Sequence, residues 1–188
     1  MTTTTYYTAT TLDGFLADEH DSLDWLLVQD HDGHGPMNYE EFIAGVGALA
    51  MGATTYEWII EHQVATGEEW PYRIPCWVFT HRDLQPVGER ITFTSAPVAE
   101  VHAEMVAAAG GKDLWMAGGG DLAAQFAEAG LLDEVVVSIA PVTLGAGRPL
   151  FPRPFDLELL DLQRNRAFAC ARYKVSGPRL APVDTGHE

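Results

Sequence analysis

Apolar positions along this chain recur with two different periods, and the switches between the two mark out the elements. Residues 4–10 are β-branched and aromatic, the composition of a strand, and Leu12-Asp13-Gly14-Phe15-Leu16-Ala17 turns out of it. Residues 18–36 are polar and read as a long loop. Tyr39, Phe42, Ile43 and Val46 then recur at helical spacing, which predicts an amphipathic helix over 38–47 with its apolar side against a sheet. A short buried strand over 48–51 follows, and Gly52 opens a turn into a helix that Thr54 or Thr55 is placed to cap, with Tyr56, Ile59 and Ile60 on its core side.

The same alternation continues. Residues 62–74 read as loop, 75–80 as a strand centred on Cys76-Trp77-Val78-Phe79, and 90–94 as another. Ser95 and Pro97 start a helix that carries Val98, Val101, His102, Met105 and Val106 on one side and stops at Gly110-Gly111. A strand over 113–117, a tight turn at Gly118-Gly119-Gly120, a helix over 121–129 and a strand over 134–139 complete the repeating part. Two long strands, 157–164 and 167–175, joined at Asn165-Arg166, then predict a hairpin. Helices between strands early and a hairpin late imply an α/β fold, a mostly parallel central sheet with an antiparallel C-terminal edge. The expected organisation is one domain over 1–175 and a flexible tail over 176–188.

Composition narrows the function classes. The length of 188 residues suits one core. No apolar run approaches the roughly 18 residues of a membrane span, and no leader pattern opens the chain, so a cytoplasmic location and no membrane partner are expected. A formal charge of -16 repels phosphate backbones, which argues against nucleic acid. An anionic ligand must then be held locally, by backbone amides or a placed arginine. Cys76 and Cys170 stand far apart in apolar strands and read as buried thiols. His31-Asp32-Gly33-His34 has no helix to present both imidazoles together, so no metal site is expected.

Two segments couple a strand end to glycine and a helix start: Met51-Gly52-Ala53-Thr54-Thr55 and Ala117-Gly118-Gly119-Gly120-Asp121-Leu122. The first turn of a helix offers unpaired N–H groups and the positive end of its dipole to a phosphate, and glycine permits close approach. The plainer reading of the second segment is a turn that packs a helix on a sheet. Thr80-His81-Arg82, just past a strand end, offers a hydroxyl, an imidazole and a guanidinium to a ribose 2'-phosphate, or is a solvated basic loop.

Taken in order, these segments resemble the dihydrofolate-reductase superfamily, in the branch of the reductase domain of the bifunctional riboflavin-biosynthesis deaminase-reductase. Residues 11–17 are similar to that family's S-L-D-G-x-I-A, residues 51–57 to M-G-R-x-T-[WY]-E, and Leu132-Asp133-Glu134 and Pro141 to Gly147 to L-[IV]-D-E and P-x-x-L-G-x-G. The resemblance implies a three-layer α/β/α sandwich, a homodimer, and NADPH as cofactor. It places Gly52, Thr54 and Thr55 on the pyrophosphate, Thr80, His81 and Arg82 by the 2'-phosphate, Gly118, Gly119, Gly120, Asp121 and Leu122 along the cofactor, and the nicotinamide near Ala9 and Leu16. It further implies a cis peptide between Gly118 and Gly119.

The activity implied is hydride transfer to a C=N or C=O of a small heterocyclic or sugar-linked substrate, similar to 5-amino-6-(5-phosphoribosylamino)uracil reduction. Asp13, Asp24 and Trp25 flank the expected cleft and are the candidates for substrate contact or proton supply. Departures are informative: Asn38 stands where dihydrofolate reductases carry a carboxylate, Thr11 replaces serine, and Ala53 replaces arginine. An amide does not ionise, so dihydrofolate is disfavoured. No zinc deaminase chemistry is expected. The alternatives are a cofactor-binding protein without turnover and a carbonyl, nitro or dihydrofolate-type reductase of other metabolism.

Overall fold

The structure is a computed structural model and describes residues 2–179. Ten strands and five α-helices follow one another as β1 (Thr4–Thr11), β2 (Phe15–Ala17), α1 (Asp24–Leu27), α2 (Tyr39–Ala44), β3 (Val46–Gly52), α3 (Ala53–His62), β4 (Cys76–Phe79), β5 (Ile91–Thr94), α4 (Val98–Ala108), β6 (Asp113–Gly118), α5 (Gly120–Glu128), β7 (Glu134–Ala140), β8 (Arg148–Pro149), β9 (Phe155–Asn165) and β10 (Phe168–Pro178). Eight of the strands form one sheet in the order β5-β4-β3-β6-β1-β7-β10-β9, while β2 and β8 pair separately. Pairings from β5 through β7 are parallel, and β10 pairs antiparallel with both β7 and β9.

Alternation along the strands sends side chains to two faces, each covered by helices. One face carries Tyr6, Ala50, Leu114, Met116, Val135 and Val137 against Met105 of α4 and Phe126 of α5. The other carries Leu49, Met51, Cys76, Val78 and Trp115 against Tyr56 and Ile59 of α3, and, further along, Cys170 and Ala140 against Trp25 of α1. This is the expected three-layer sandwich. Both cysteines are free and buried.

Several boundaries differ from the sequence reading. The helix expected over 38–47 ends at Ala44, because Val46 already belongs to β3. Gly47 shows the cause: a Cβ there would collide with the backbone of Ala109, so this stretch is strand pressed against the end of α4. The loop over 18–36 contains α1, which buries Trp25. Neither Thr54 nor Thr55 caps α3; Gly52 is its N-cap, without a side-chain bond. The hairpin turn is Arg166-Ala167, with Asn165 in β9 and Arg166 at φ 48°. β10 runs on to Pro178, so residues 176–178 are strand rather than tail, held by pairing with Phe155 and Asp156; residues 180–188 of the expected tail lie outside the described residues.

Candidate cofactor and active site

Adjacent strands β3 and β6 bring the two glycine-opened helix starts together. Met51 pairs with Gly118 at the carboxyl ends of these strands, after a register shift that leaves Ala117 as an extra residue. A Cβ built on Gly119 lies 3.8 Å from the Gly52 nitrogen and 4.0 Å from its Cα, so the two turns touch at one rim. This is the crevice in which open α/β sheets hold ligands. No cis peptide occurs among the described residues, contrary to the expectation for Gly118-Gly119; the reversal is made by the extra Ala117 and by Gly119 at φ 94°.

The glycines at this rim have different reasons for being glycine. Around Gly52 a Cβ would meet nothing within 4 Å, so its face is open. At Gly118 a Cβ would strike Thr55 Oγ1, and at Gly120 it would strike the Pro149 and Leu150 carbonyls. Those two are packing glycines. Gly52, the exposed Thr54, Thr55 and Gly119 are therefore the part of the predicted set that presents backbone to a ligand, with the first-turn amides of α3 unused by any cap. Leu122 is buried in the core, with its Cβ 3.6 Å from the place a Cβ would take on Gly119. Asp121 is turned outward, where Arg153 holds it at 2.8 Å and also reaches Glu128 at 3.0 Å.

A strap over 142–150 roofs the strand ends. Leu12 N–H donates to the Val142 carbonyl at 2.8 Å, Leu150 N–H to the Gly14 carbonyl at 2.8 Å, and β2 pairs with β8. Asp13 is the clamp: its carboxylate accepts from Thr11 Oγ1 at 2.5 Å, Leu144 N–H at 3.1 Å and Gly145 N–H at 2.7 Å. The Thr11 hydroxyl, with the two amides behind it, holds this carboxyl below its ordinary range. Such a group stays ionised and fully bonded at neutral pH, which makes it an anchor and a poor acid. Arg148 adds a second clamp, reaching Asp21 at 2.6 and 2.9 Å.

Thr80, His81 and Arg82 follow β4 along the outer side of α3. The Thr80 hydroxyl accepts from the Arg82 N–H at 2.9 Å, His81 is exposed, and the Arg82 guanidinium makes a two-point pair with Glu57 at 2.9 and 2.7 Å. Both partners stand in solvent, where such pairs contribute at most about 1 kcal/mol, so an incoming phosphate dianion competes readily for the arginine.

On the substrate side the predicted residues separate. Ala9 lies on the sheet face covered by Trp25, whereas Leu16 packs with the α5 cluster. Trp25 is 8% exposed, and its indole N–H has no partner among the described residues. Asp24 is exposed. Asn38 accepts from Glu41 N–H at 2.9 Å and donates to the Gly35 carbonyl at 3.0 Å, so it caps α2 and moves no proton. Sequence reasoning missed Glu57, Asp21 and Arg148, whose roles depend on partners up to 127 residues away. It also missed a cluster of aromatic rings on the Ala9 face. Its periodic signal, Tyr39 three residues before Phe42, was absorbed into the helix reading.

The open Gly52 cradle, two abutting helix N-termini and a contestable arginine after β4, paired with Glu57 of α3, fit the phosphates of a dinucleotide. The chain belongs to the RibD C-terminal domain family, whose match covers residues 2–173. Among curated relatives, the Bacillus subtilis protein YwjB is 31% identical over 169 residues, 89% of this chain and 93% of that one. Among solved structures, a Shewanella sp. PV-4 protein assigned provisionally to riboflavin biosynthesis superposes with TM-score 0.78 at 23% identity, covering 93% of this chain and 99% of that one. Acinetobacter baumannii RibD superposes with TM-score 0.64 at 16% identity, covering 94% of this chain and 58% of its own. The structural likenesses establish the shared fold.

Proposed function

We propose that this protein is an NADPH-dependent reductase of a small C=N or C=O substrate, related in chemistry to the pyrimidine reductase of riboflavin formation. The observation that carries the reading is the contact of Gly119 with Gly52, which unites two helix N-termini into one anion cradle at the ends of β3 and β6. Held at this rim, a reduced nicotinamide would supply hydride to the C=N or C=O carbon, making it C–H, and the heteroatom would take a proton from solvent. The chain's own residues do the rest. Gly52, Thr54, Thr55 and Gly119 hold the pyrophosphate, Thr80, His81 and Arg82 receive the 2'-phosphate, and the strap clamped by Asp13 and Arg148 roofs the strand ends and orients what lies beneath it.

Titrating the protein into NADPH and following nucleotide fluorescence tests this reading. Saturable binding weakened by Arg82→Ala supports it, and no binding contradicts it. A second reading, cofactor binding without turnover, draws support from the structural engagement of Asp13 and Asn38, whose polar atoms are bonded within the fold. A panel of pyrimidine ribosylamines, pterins and simple carbonyls separates the two by whether NADPH is oxidised. The reading also includes a cytoplasmic site of action and a homodimer built on the β9 edge.

A further inference from the structure

Of the two helices that open the cradle, α3 carries no acid in its first turn, whereas α5 carries Asp121, two residues past Gly119. A carboxylate there suits the helix, because it stands at the positive end of the dipole. It does not suit a phosphate bound at the same amides, which meets a like charge within one helical turn. The chain has a net charge of -16, so its long-range field adds to that repulsion. The offset has to be local, and Arg153 supplies it.

The strap delivers this arginine. Gly120 admits no Cβ because the Pro149 and Leu150 carbonyls press on it, so the chain leaving the strap runs against the start of α5. Three residues after Leu150, both terminal nitrogens of Arg153 donate to one oxygen of Asp121, at 2.9 and 2.8 Å. The other oxygen accepts from Gln125 Nε2 at 2.7 Å. Arg153 Nε reaches Glu128, two turns further along the same helix, at 3.0 Å. The Arg153 side chain is 32% exposed, against 49–68% for the other paired arginines among the described residues, so less water screens it.

Helix stability accounts for only part of this grip. Glu128 lies at the C-terminal end of α5, where the dipole opposes an acid, and a cation there relieves the helix. Asp121 needs no such relief, yet two of the three guanidinium nitrogens go to it.

We propose that Arg153 is a positioning residue of the cofactor cradle that acts through Asp121. It cancels the single acid in the first turns of the two helices, and so lets α5 share the pyrophosphate with α3. This rests on the cofactor reading above and adds to it a residue outside both glycine turns.

NADPH titrations of the intact protein, with the melting temperature recorded for each variant, test the assignment. Arg153→Gln uncovers the Asp121 charge and should weaken NADPH about tenfold, while Arg153→Lys, which keeps the charge, should stay within about threefold of wild type. Adding Asp121→Asn to Arg153→Gln should return the affinity to near the wild-type value, although the pair is then lost from both sides. Asp121→Asn alone should tighten NADPH several-fold. A purely structural role for the pair predicts the opposite order, with the loss deepest in the double variant. An Arg153→Gln protein that binds NADPH like the wild type, or a weakened one that Asp121→Asn does not rescue, overturns the proposal and leaves the cofactor reading standing. Should Arg153→Gln fail to fold, Asp121→Asn decides alone, and an affinity unchanged or reduced by it overturns the proposal. A wild-type protein that does not bind NADPH is the separate result that removes the reductase reading, and this inference with it.

Discussion

Arg82 is held by a carboxylate of its own chain, and that single pair sets the expected nucleotide preference. Glu57 occupies the two donors that a 2'-phosphate needs, so apparent affinity includes the work of displacing it. Glu57→Gln should therefore tighten NADPH several-fold and leave NADH nearly unchanged, measured by parallel fluorescence titrations. An equal effect on both nucleotides would place Arg82 away from the 2'-phosphate. At this scale the sequence was partly legible. Gly52, Thr54, Thr55 and Gly119 followed from local spacing, because a helix start after a strand end is a local event. Glycines 118 and 120 looked alike in the sequence but answer to Thr55 and to the strap, neighbours that only the fold supplies.

Elements show the same division between local and long-range causes. α3 and α4 were readable from apolar periodicity and α5 from the glycines that bracket it, whereas α2 was overextended because Val46 continues a helical pattern while its backbone pairs with Asp113 as strand. The strap was invisible to periodicity, since its order comes from Asp13, Asp21 and the close approach of Gly120. Gly120→Ala should cost about 1–3 kcal/mol in urea unfolding, because a methyl there displaces the strap backbone. A substitution without measurable cost would mean that the strap stands off α5.

The α4 contact carries a pH signature. His102 meets Thr4 Oγ1 at 3.0 Å, and burial holds its imidazole below the ordinary value, against a smaller opposing pull from Asp133. The unfolded imidazole takes a proton near about 6.5 while the folded one resists, so the unfolded state binds more protons below that pH. Stability should fall as pH drops from about 6.5 towards the lowered folded value, and His102→Gln should flatten that slope in melting curves taken between pH 7.5 and 5.5. A slope unchanged by the substitution would assign the acid sensitivity to other groups.

Across the whole molecule, the sheet has two unlike edges. β5 is short, whereas β9 is an eleven-residue edge with Leu157, Leu159, Leu160 and Leu162 exposed. A register shift skips Leu160, so Leu157, Leu159 and Leu162, opposite Val175, Tyr173 and Ala171, share the face that also carries α5. Glu158, Asp161 and Gln163 go to the other face. A long unpaired edge with a leucine row invites a second copy, and the proposed homodimer uses it. Leu159→Glu should convert a dimer to monomers in light scattering without lowering helix or sheet content; a wild-type monomer at tens of micromolar would contradict this arrangement. The parallel order and the C-terminal hairpin were legible from element alternation. The leucine row was not, because simple alternation without the skipped residue scatters it over both faces.

The central claim is that the Gly52 turn is open in order to receive phosphate, and Gly52→Asp tests it with two effects of opposite sign. Gly52 is the N-cap of α3 at φ -81° with free space around its Cα, so aspartate there should cap the helix and hold or slightly raise the melting temperature. The same carboxylate occupies the anion cradle, so NADPH titration of this variant should show affinity reduced by at least about a hundredfold. Unchanged NADPH binding in a stably folded Gly52→Asp protein would contradict the account.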